Sequence, residues 1–308
     1  MGAGIANRIE DGYIPDFPDG DILRQMGNCA MCRFFAPKIC NNAILCSAFS
    51  VIYNNTPLYA EGEMDVTYAK EFEKGTFDSF RAGKANALAV KMIREAVNHP
   101  DLYNPVLIYG QAGTGKTHLL HAMADEMLQA HPDWHVELIH CADLTNQLIS
   151  HIMDGKTKEF RDFFMQADAI LVDDIHILSG KQATQEEMLR VLDVLMCNGK
   201  QVVMTADRHP RQILAVQDQL RSRFHGGLLL ELYAPDLEAR QEIAEAYAAE
   251  NWNLVLNPEY VILLASRISS VRNLRGATAK LCAYIKMAEA LPTMEEAMKI
   301  TESYWTAR

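Results

Sequence analysis

The chain has 308 residues, of which 49% are hydrophobic and 22% are charged, as expected for a soluble globular protein of two or three domains. Its net charge of −11 excludes a general polyanion-binding protein, so any contact with nucleic acid would need a local basic patch. Its apolar runs are shorter than the ~18 residues of a membrane span and no basic-then-apolar leader opens the sequence, which predicts a cytoplasmic protein with no membrane partner.

Residues 1–70 are predicted to form an N-terminal extension that carries a cysteine cluster. Gly, Pro and Asp crowd into DGYIPDFPDGD, which predicts loop. Four cysteines follow with the spacing C-x₂-C-x₇-C-x₅-C, namely Cys29, Cys32, Cys40 and Cys46. Without a secretion signal, disulfides explain them poorly, and the spacing favours a zinc knuckle in which four thiolates hold one Zn²⁺. An iron–sulfur cluster and unliganded cysteines are the alternatives.

Residues 71–232 alternate between strand and helix patterns. Short apolar runs predict five buried strands, at 106–110, 134–140, 169–174, 201–205 and 228–232. Amphipathic stretches predict helices at 87–98, 118–131, 143–155, 156–166 and 184–199. Thr184 and Glu187 have the spacing of a capping box at the start of the last of these helices. The alternation predicts an α/β fold, with a parallel sheet sandwiched by helices.

After residue 232 the strand patterns stop. Residues 233–308 show only helical periodicity, at 237–250, 258–269, 271–291 and 294–305. We therefore predict a separate all-helical domain, which would act as a lid on the α/β domain.

The strongest motif lies between the first predicted strand and the helix after it. There YGQAGTGKTHLL matches the phosphate-binding loop G-x-x-x-x-G-K-[ST]. Lys116 would neutralise the β- and γ-phosphates, and the Thr117 hydroxyl would bind Mg²⁺. Backbone amides at a helix N-terminus would cradle the phosphates. The residues expected to line that cradle are Gly110, Gln111, Ala112, Gly113, Thr114, Gly115 and His118.

Acidic residues follow two other predicted strands. The strand AILVDD ends in Asp173 and Asp174, at the edge where α/β sheets bind ligands. We expect Asp173 to hold Mg²⁺, largely through water, and Asp174 to act as the base that positions the attacking water. The strand QVVMT is followed by Asp207, so either Thr205 or Asp207 could sense the γ-phosphate; an ordinary polar strand end is the alternative.

Three arginines are candidates for contact with phosphate. Arg221 and Arg223 lie in QLRSRFHGG, and Arg223 could act as an arginine finger in its own chain or across a subunit contact. Arg272 begins a helix of the predicted lid and could touch the nucleotide from there. The alternative for all three is an exposed surface arginine.

The order of these motifs resembles the ATPase domain of the bacterial DnaA family of replication initiators, which are AAA+ proteins. The resemblance runs from residue 76 to about residue 300. It rests on NPVLIYGQAGTGKTHLLHA, ILVDDIHILSGKQATQEEM, VVMTADRHPRQI, LRSRFHGGLLLEL, APDLEAR and VRNLRGA. The resemblance implies sensor 1 at Asp207, the arginine finger at Arg223 and sensor 2 at Arg272. It also implies a box around the nucleotide that contains Phe77, Phe80 and Asn86.

The resemblance carries two further implications. The family inserts a helix pair between its phosphate motifs, which steers protomers into a spiral filament and lines a path for single-stranded DNA. LTNQLISHIMDGKTKEFRDFF has that character, with Lys156, Lys158, Arg161 and Lys181 as local basic residues; solvated helix ends are the alternative. The family's initiators also carry a C-terminal helix-turn-helix domain that reads duplex DNA. Only 36 residues follow Arg272 here, so the resemblance is to a form that lacks this domain, and we expect no sequence-specific binding of duplex DNA.

The function that these motifs imply is an ATP-dependent assembly switch in DNA replication. Magnesium–ATP would favour self-association, and slow hydrolysis to ADP would reverse it. The expected partners are single-stranded DNA and a replicative helicase or initiator. The alternatives are a weakly catalytic or non-catalytic adaptor that recruits partners through the cysteine module and, further from the motifs, a small-molecule kinase.

Overall fold

The computed structural model describes residues 75–100, 102–288 and 290–305. The N-terminal segment, with the four cysteines of the predicted zinc knuckle, lies outside these ranges. Across the described part of the chain, no helix has both the length and the apolar character that crossing a bilayer requires.

The centre of the fold is a five-stranded parallel sheet with the order β2-β3-β4-β1-β5. The strands are β1 (Val106–Tyr109), β2 (Val136–His140), β3 (Ala169–Asp173), β4 (Gln201–Ala206) and β5 (Leu228–Glu231). Every residue of β3 and β4 is buried, as continuous apolar strands in a doubly covered sheet should be. All five predicted strands and the parallel sheet are confirmed. The strands all end at one edge, where the candidate site lies.

Helices pack on both faces of this sheet. One face is covered by α1 (Gly83–Asn98) and α2 (Lys116–Ala130), whose Ile93, Leu119 and Met123 share a core with β1. The other face is covered by α3 (Cys141–Met153), α4 (Thr157–Phe164), α5 (Gln182–Cys197) and α6 (Asp218–His225). The sequence periodicity does not predict α6, because this eight-residue helix buries only Leu220 and Phe224.

The predicted capping box at α5 is wrong. The helix begins at Gln182, so Thr184 and Glu187 both lie inside it and are buried. The Glu187 carboxylate instead accepts hydrogen bonds from Arg161 on α4 and from Nη1 of Arg190 at 2.7 Å. Glu187 therefore ties α4 to α5, and Arg161 is engaged within the fold.

Four helices form the second part of the described chain. They are α7 (Leu237–Trp252), α8 (Pro258–Arg267), α9 (Val271–Met287) and α10 (Met294–Thr301). Their buried core includes Ala244, Leu264, Leu274 and Leu281, and every buried member of that core comes from these helices and their connections. The predicted all-helical lid thus has an apolar core of its own.

Polar contacts fix the start of the lid to the α/β domain. The Asp236 carboxylate caps α7 by accepting from the backbone N–H of Ala239 at 2.9 Å, and it accepts from the N–H of Lys84 at 3.0 Å. The Asn86 amide brackets the backbone of Tyr233, with contacts of 3.0 Å to its carbonyl and 2.9 Å to its N–H. The first residues of α1 therefore hold the connection between β5 and α7 at two positions, Tyr233 and Asp236.

Candidate functional site

The loop between β1 and α2 has the conformation that its glycines predict. Gly113 and Gly115 have φ of 79° and 96°, which favour glycine. A Cβ at residue 113 would also lie 2.2 Å from Oγ of Ser270, so the lid comes close to the loop at this position. The loop leads directly into α2 and leaves the first amides of that helix without intrahelical acceptors. Such a helix N-terminus is suited to bind phosphate groups.

Lys116, the first residue of α2, is buried in this loop. Its Nζ donates to the carbonyls of Gly110 at 2.9 Å and Gln111 at 3.1 Å. Burial lowers the pKa of Lys116, and three nearby carboxylates act against this effect. A buried ammonium group among backbone dipoles and carboxylates is well placed to bind the anionic oxygens of a polyphosphate.

Oxygen ligands suited to Mg²⁺ lie beside the lysine. The Thr117 hydroxyl donates to Oδ2 of Asp173 at 2.8 Å, and the Thr205 hydroxyl donates to Oδ1 of the same carboxylate. Asp173 is 6% exposed, so its orientation is fixed by these two hydroxyls. Hard oxygen donors of this kind fit magnesium. Thr205, near the end of β4, is itself buried and supports Asp173 through its hydroxyl.

Asp174 is turned away from β3 by its backbone. It has φ 61° and ψ 50°, a left-handed conformation that is uncommon outside glycine and more accessible to Asp and Asn than to other residues. Its N–H donates to Oγ1 of Thr205 at 2.9 Å, which stabilises the turn. The side chain of Asp174 consequently lines the cavity. A nonglycine residue in this conformation at the end of a buried strand is a feature of functional sites.

The residue after β4 completes the acidic edge. Asp207 lines the cavity and accepts from Nε of Arg208 at 2.8 Å. The hydrogen bond from Arg208 is the main reason that the pKa of Asp207 is lowered, so this carboxylate is ionised at neutral pH.

A cavity of about 590 Å³ lies between the loop, the acidic edge and the lid. Phe80, Asn86 and Arg272 line it, as the resemblance implies, but Phe77 does not: its ring lies in the core between α1 and α2, beneath the guanidinium of Arg94. Sequence reasoning missed other lining residues, including Arg81, Tyr247 and Arg275. Tyr247 and Arg275 could be found only from the packing of α7 and α9 against the loop, and Arg81 only from the position of the segment that precedes α1.

Two contacts close the cavity. The N–H of Val271, at the start of α9, donates to the carbonyl of Gly113 at 3.0 Å, which brings Arg272 to the phosphate-binding loop. On the opposite side, Nε2 of His118 lies 2.9 Å from the carbonyl oxygen of Thr76 and 3.1 Å from Oγ of Ser79. His118 thus links α2 to the segment that precedes α1.

The two candidate arginines on α6 have different environments. Arg221 donates to the carbonyl of Val216 at 3.0 Å and to Asp218 at 2.8 Å, which is a structural role. Arg223 is half exposed and pairs through Nε with Oδ1 of Asp193 at 2.6 Å. It does not line the cavity of its own chain.

The basic residues of the α3–α4 pair also differ. Lys158 is exposed, and Lys156 is exposed beside Glu159, with a separation of 4.0 Å between Nζ and Oε2. Lys181 is half-buried just before α5. Arg161 is bound to Glu187 and is the least available of the four.

Comparison with known proteins shows where this architecture recurs. The model of the family described as the bacterial DnaA ATPase domain matches residues 72–231. The chromosomal replication initiator protein DnaA of Roseiflexus castenholzii is 39% identical over 224 residues, which are 72% of this chain and 46% of that protein. The chain therefore spans about half the length of the curated relatives that it matches.

Solved structures give the same result. Domain III of the Thermotoga maritima replication initiation protein DnaA superposes with a TM-score of 0.72 and 34% identity, over 77% of this chain and 99% of that one. A replication initiator DnaA described as bound to AMPPCP and single-stranded DNA gives a TM-score of 0.64 and 33% identity, over 75% of this chain and 69% of that one.

Proposed function

This chain belongs to the bacterial DnaA ATPase family, and we propose on that premise that it is an ATP-dependent assembly switch in DNA replication. In this proposal residues 71–232 bind ATP or ADP, residues 233–308 cover the nucleotide, and residues 1–70 form an extension. The replicative helicase or another initiator is the proposed protein partner. One observation carries the proposal: the cavity holds the groups for phosphate and metal, whereas Arg223 is presented outside it.

The residues of the cavity, and Asp173 behind Thr117, have distinct proposed roles. Amides of the loop and Nζ of Lys116 bind the phosphates, and Arg272 approaches them from the lid. Thr117 and Asp173 hold Mg²⁺, which neutralises charge on the phosphate oxygens. Asp174 accepts the proton of the attacking water, and Asp207 senses the γ-phosphate beside it. Hydrolysis is slow as long as Arg223 of a second copy does not complete this set of residues.

Arg223 is the residue through which assembly and hydrolysis would be coupled. Since it lies outside its own cavity and is half exposed, it is available to the nucleotide of a second copy. Its Nε pairs with Asp193, and the guanidinium has further N–H donors that a phosphate could accept. A neighbour that supplied this positive charge would stabilise the transition state and raise the rate of hydrolysis by about 10³–10⁵-fold.

We expect the Arg223→Ala protein to remain the same size in ATP and in ADP, whereas the parent enlarges only in ATP. Arg94→Ala is the matched control, because Arg94 is about equally exposed and also forms a surface ion pair, with Asp78. Sedimentation at nucleotide concentrations above the dissociation constant measures the size of each protein in ATP and in ADP. A parent of equal size in both nucleotides would contradict the switch, and ATP binding without turnover would favour the adaptor.

A mixing experiment separates the two possible positions of the finger. Arg223→Ala retains its nucleotide site, and Lys116→Ala retains its finger. If Arg223 acts on a neighbour, a mixture of the two hydrolyses more ATP than the two proteins measured separately. No gain on mixing would mean that Arg223 acts within its own chain or not at all.

Single-stranded DNA is the proposed nucleic-acid partner, supported by the relative that is described as bound to it and by the exposed lysines of α4 and the residue before it. We expect Lys156→Ala/Lys158→Ala to weaken binding of a labelled oligo(dT) and to reduce the salt dependence of its affinity. Arg161→Ala is a poor probe because it also breaks the contact with Glu187. Fluorescence anisotropy in ATP at several salt concentrations tests this; an unchanged salt slope would exclude these lysines from the DNA path.

A further inference from the structure

Two histidines to which the sequence motifs assign no role face the carboxylate of Asp174. Nε2 of His140 lies 3.5 Å from Oδ2, and Nδ1 of His176 lies 3.6 Å from Oδ1. Each oxygen of the proposed base therefore has its own imidazole neighbour. The pair comes from different elements: His140 ends β2, and His176 lies in the 3₁₀ turn Ile175–Leu178 after β3.

The tautomer of His140 is set by its position in the chain. His140 is the N-cap of α3, and its Nδ1 accepts the N–H of Ala142 at 3.2 Å. That bond uses the lone pair of Nδ1, so the hydrogen of the neutral ring resides on Nε2. The cap therefore aims an N–H at Oδ2 of Asp174. Since β2 and β3 pair with His140 opposite Asp173, the parallel register brings this ring to the acidic edge.

His176 links the two aspartates of the site. Its Nδ1 is buried and makes no hydrogen bond with the described residues. It lies 3.6 Å from Oδ1 of Asp174 and 3.7 Å from Oδ1 of Asp207, nearly equidistant from the two carboxylates. A buried polar nitrogen without a partner is costly, so small movements that bring it within hydrogen-bonding distance of either oxygen are favourable.

We propose that His140 and His176 are positioning residues for Asp174. His140 holds one oxygen from the side of β2, and His176 holds the other and connects it to Asp207. Together they restrict the rotation of a carboxylate that the left-handed backbone at Asp174 turns into the cavity, so that one oxygen faces the attacking water. This inference rests on the proposed function, in which Asp174 is the base.

The chain offers substitutions that separate positioning from folding. His140→Asn keeps a good helix N-cap but is too short to reach Asp174. His176→Ala removes the bridging nitrogen, and His176→Asn restores a donor at the same distance from the backbone as Nδ1. We expect His140→Asn and His176→Ala each to lower kcat about 10-fold or more, with KM and ADP affinity within about 2-fold of the parent. His176→Asn should recover most of the rate.

The decisive comparison uses single-turnover hydrolysis in an Asp174→Asn background. If the histidines act through Asp174, neither substitution lowers the rate further there. A loss that persists in that background, a change in KM alone, or an unchanged kcat would overturn the proposal. If the parent does not hydrolyse ATP, or if Asp174→Asn hydrolyses it as fast as the parent, the proposed function has failed. Both results differ from the outcomes that overturn the role of the histidines.

Discussion

Replacing Lys116 with alanine is expected to weaken the binding of both ATP and ADP by about 10- to 150-fold, since a charge-assisted hydrogen bond to phosphate is worth about 1.5–3 kcal/mol. Lys116 is 7% exposed and donates to two carbonyls of its own loop. The oxygens of a bound phosphate would replace those carbonyls as acceptors of the Lys116 ammonium group. The loop has no other cation that could bind them. Titration calorimetry with Mg²⁺–ADP measures the loss.

The control for this result is Lys91→Ala, which removes an exposed lysine from α1. Its affinity should equal that of the parent, and circular dichroism should show that both variants are folded. A folded Lys116→Ala protein that bound nucleotide as tightly as the parent would remove the basis for the proposed site.

Replacing Asp174 with asparagine is expected to lower the rate of ATP hydrolysis by about 10²–10⁴-fold while nucleotide affinity changes little. Asparagine adopts the left-handed backbone that this position requires, so the turn and its bond to Thr205 should survive. The amide oxygen cannot accept the proton of the attacking water. The variant should therefore accumulate in the ATP-bound, assembled form.

Single-turnover hydrolysis and sedimentation in ATP test this prediction together. Asp173→Asn is the informative comparison, because it should reduce the Mg²⁺ dependence of binding rather than the chemical step alone. A rate for Asp174→Asn within a few-fold of the parent would assign proton transfer to another group.

Much of the site could be predicted because its residues come in local motifs. Lys116 and Thr117 follow a glycine loop, and Asp173, Asp174 and Asp207 each follow an apolar strand, so strand identity alone brings them to one edge. His140 could not be predicted for the opposite reason. Nothing near His140 in the sequence indicates that β2 lies beside β3; only the strand order does.

Other features could not be resolved from the sequence for a similar reason. Glu187 has the right spacing for a capping box, but burial beside Arg161 and Arg190 determines its partners. Phe77 belongs to a motif around the nucleotide, yet its ring packs in the core rather than in the cavity. Arg221 and Arg223 are two residues apart on a short helix, and only their neighbours in space distinguish a structural arginine from an available one.

The separate core of the lid has a consequence for the departure of spent ADP. Since α7 to α10 bury their apolar side chains against one another, the lid can swing as a rigid body and keep that core dry. The contact between Val271 and Gly113 must break in such a swing, whereas the Asp236 and Asn86 contacts at the other end can act as the pivot. Product release would then be timed by a few polar contacts, and the lifetime of the ADP form could be tuned at Ser270 or Val271 without altering the chemistry.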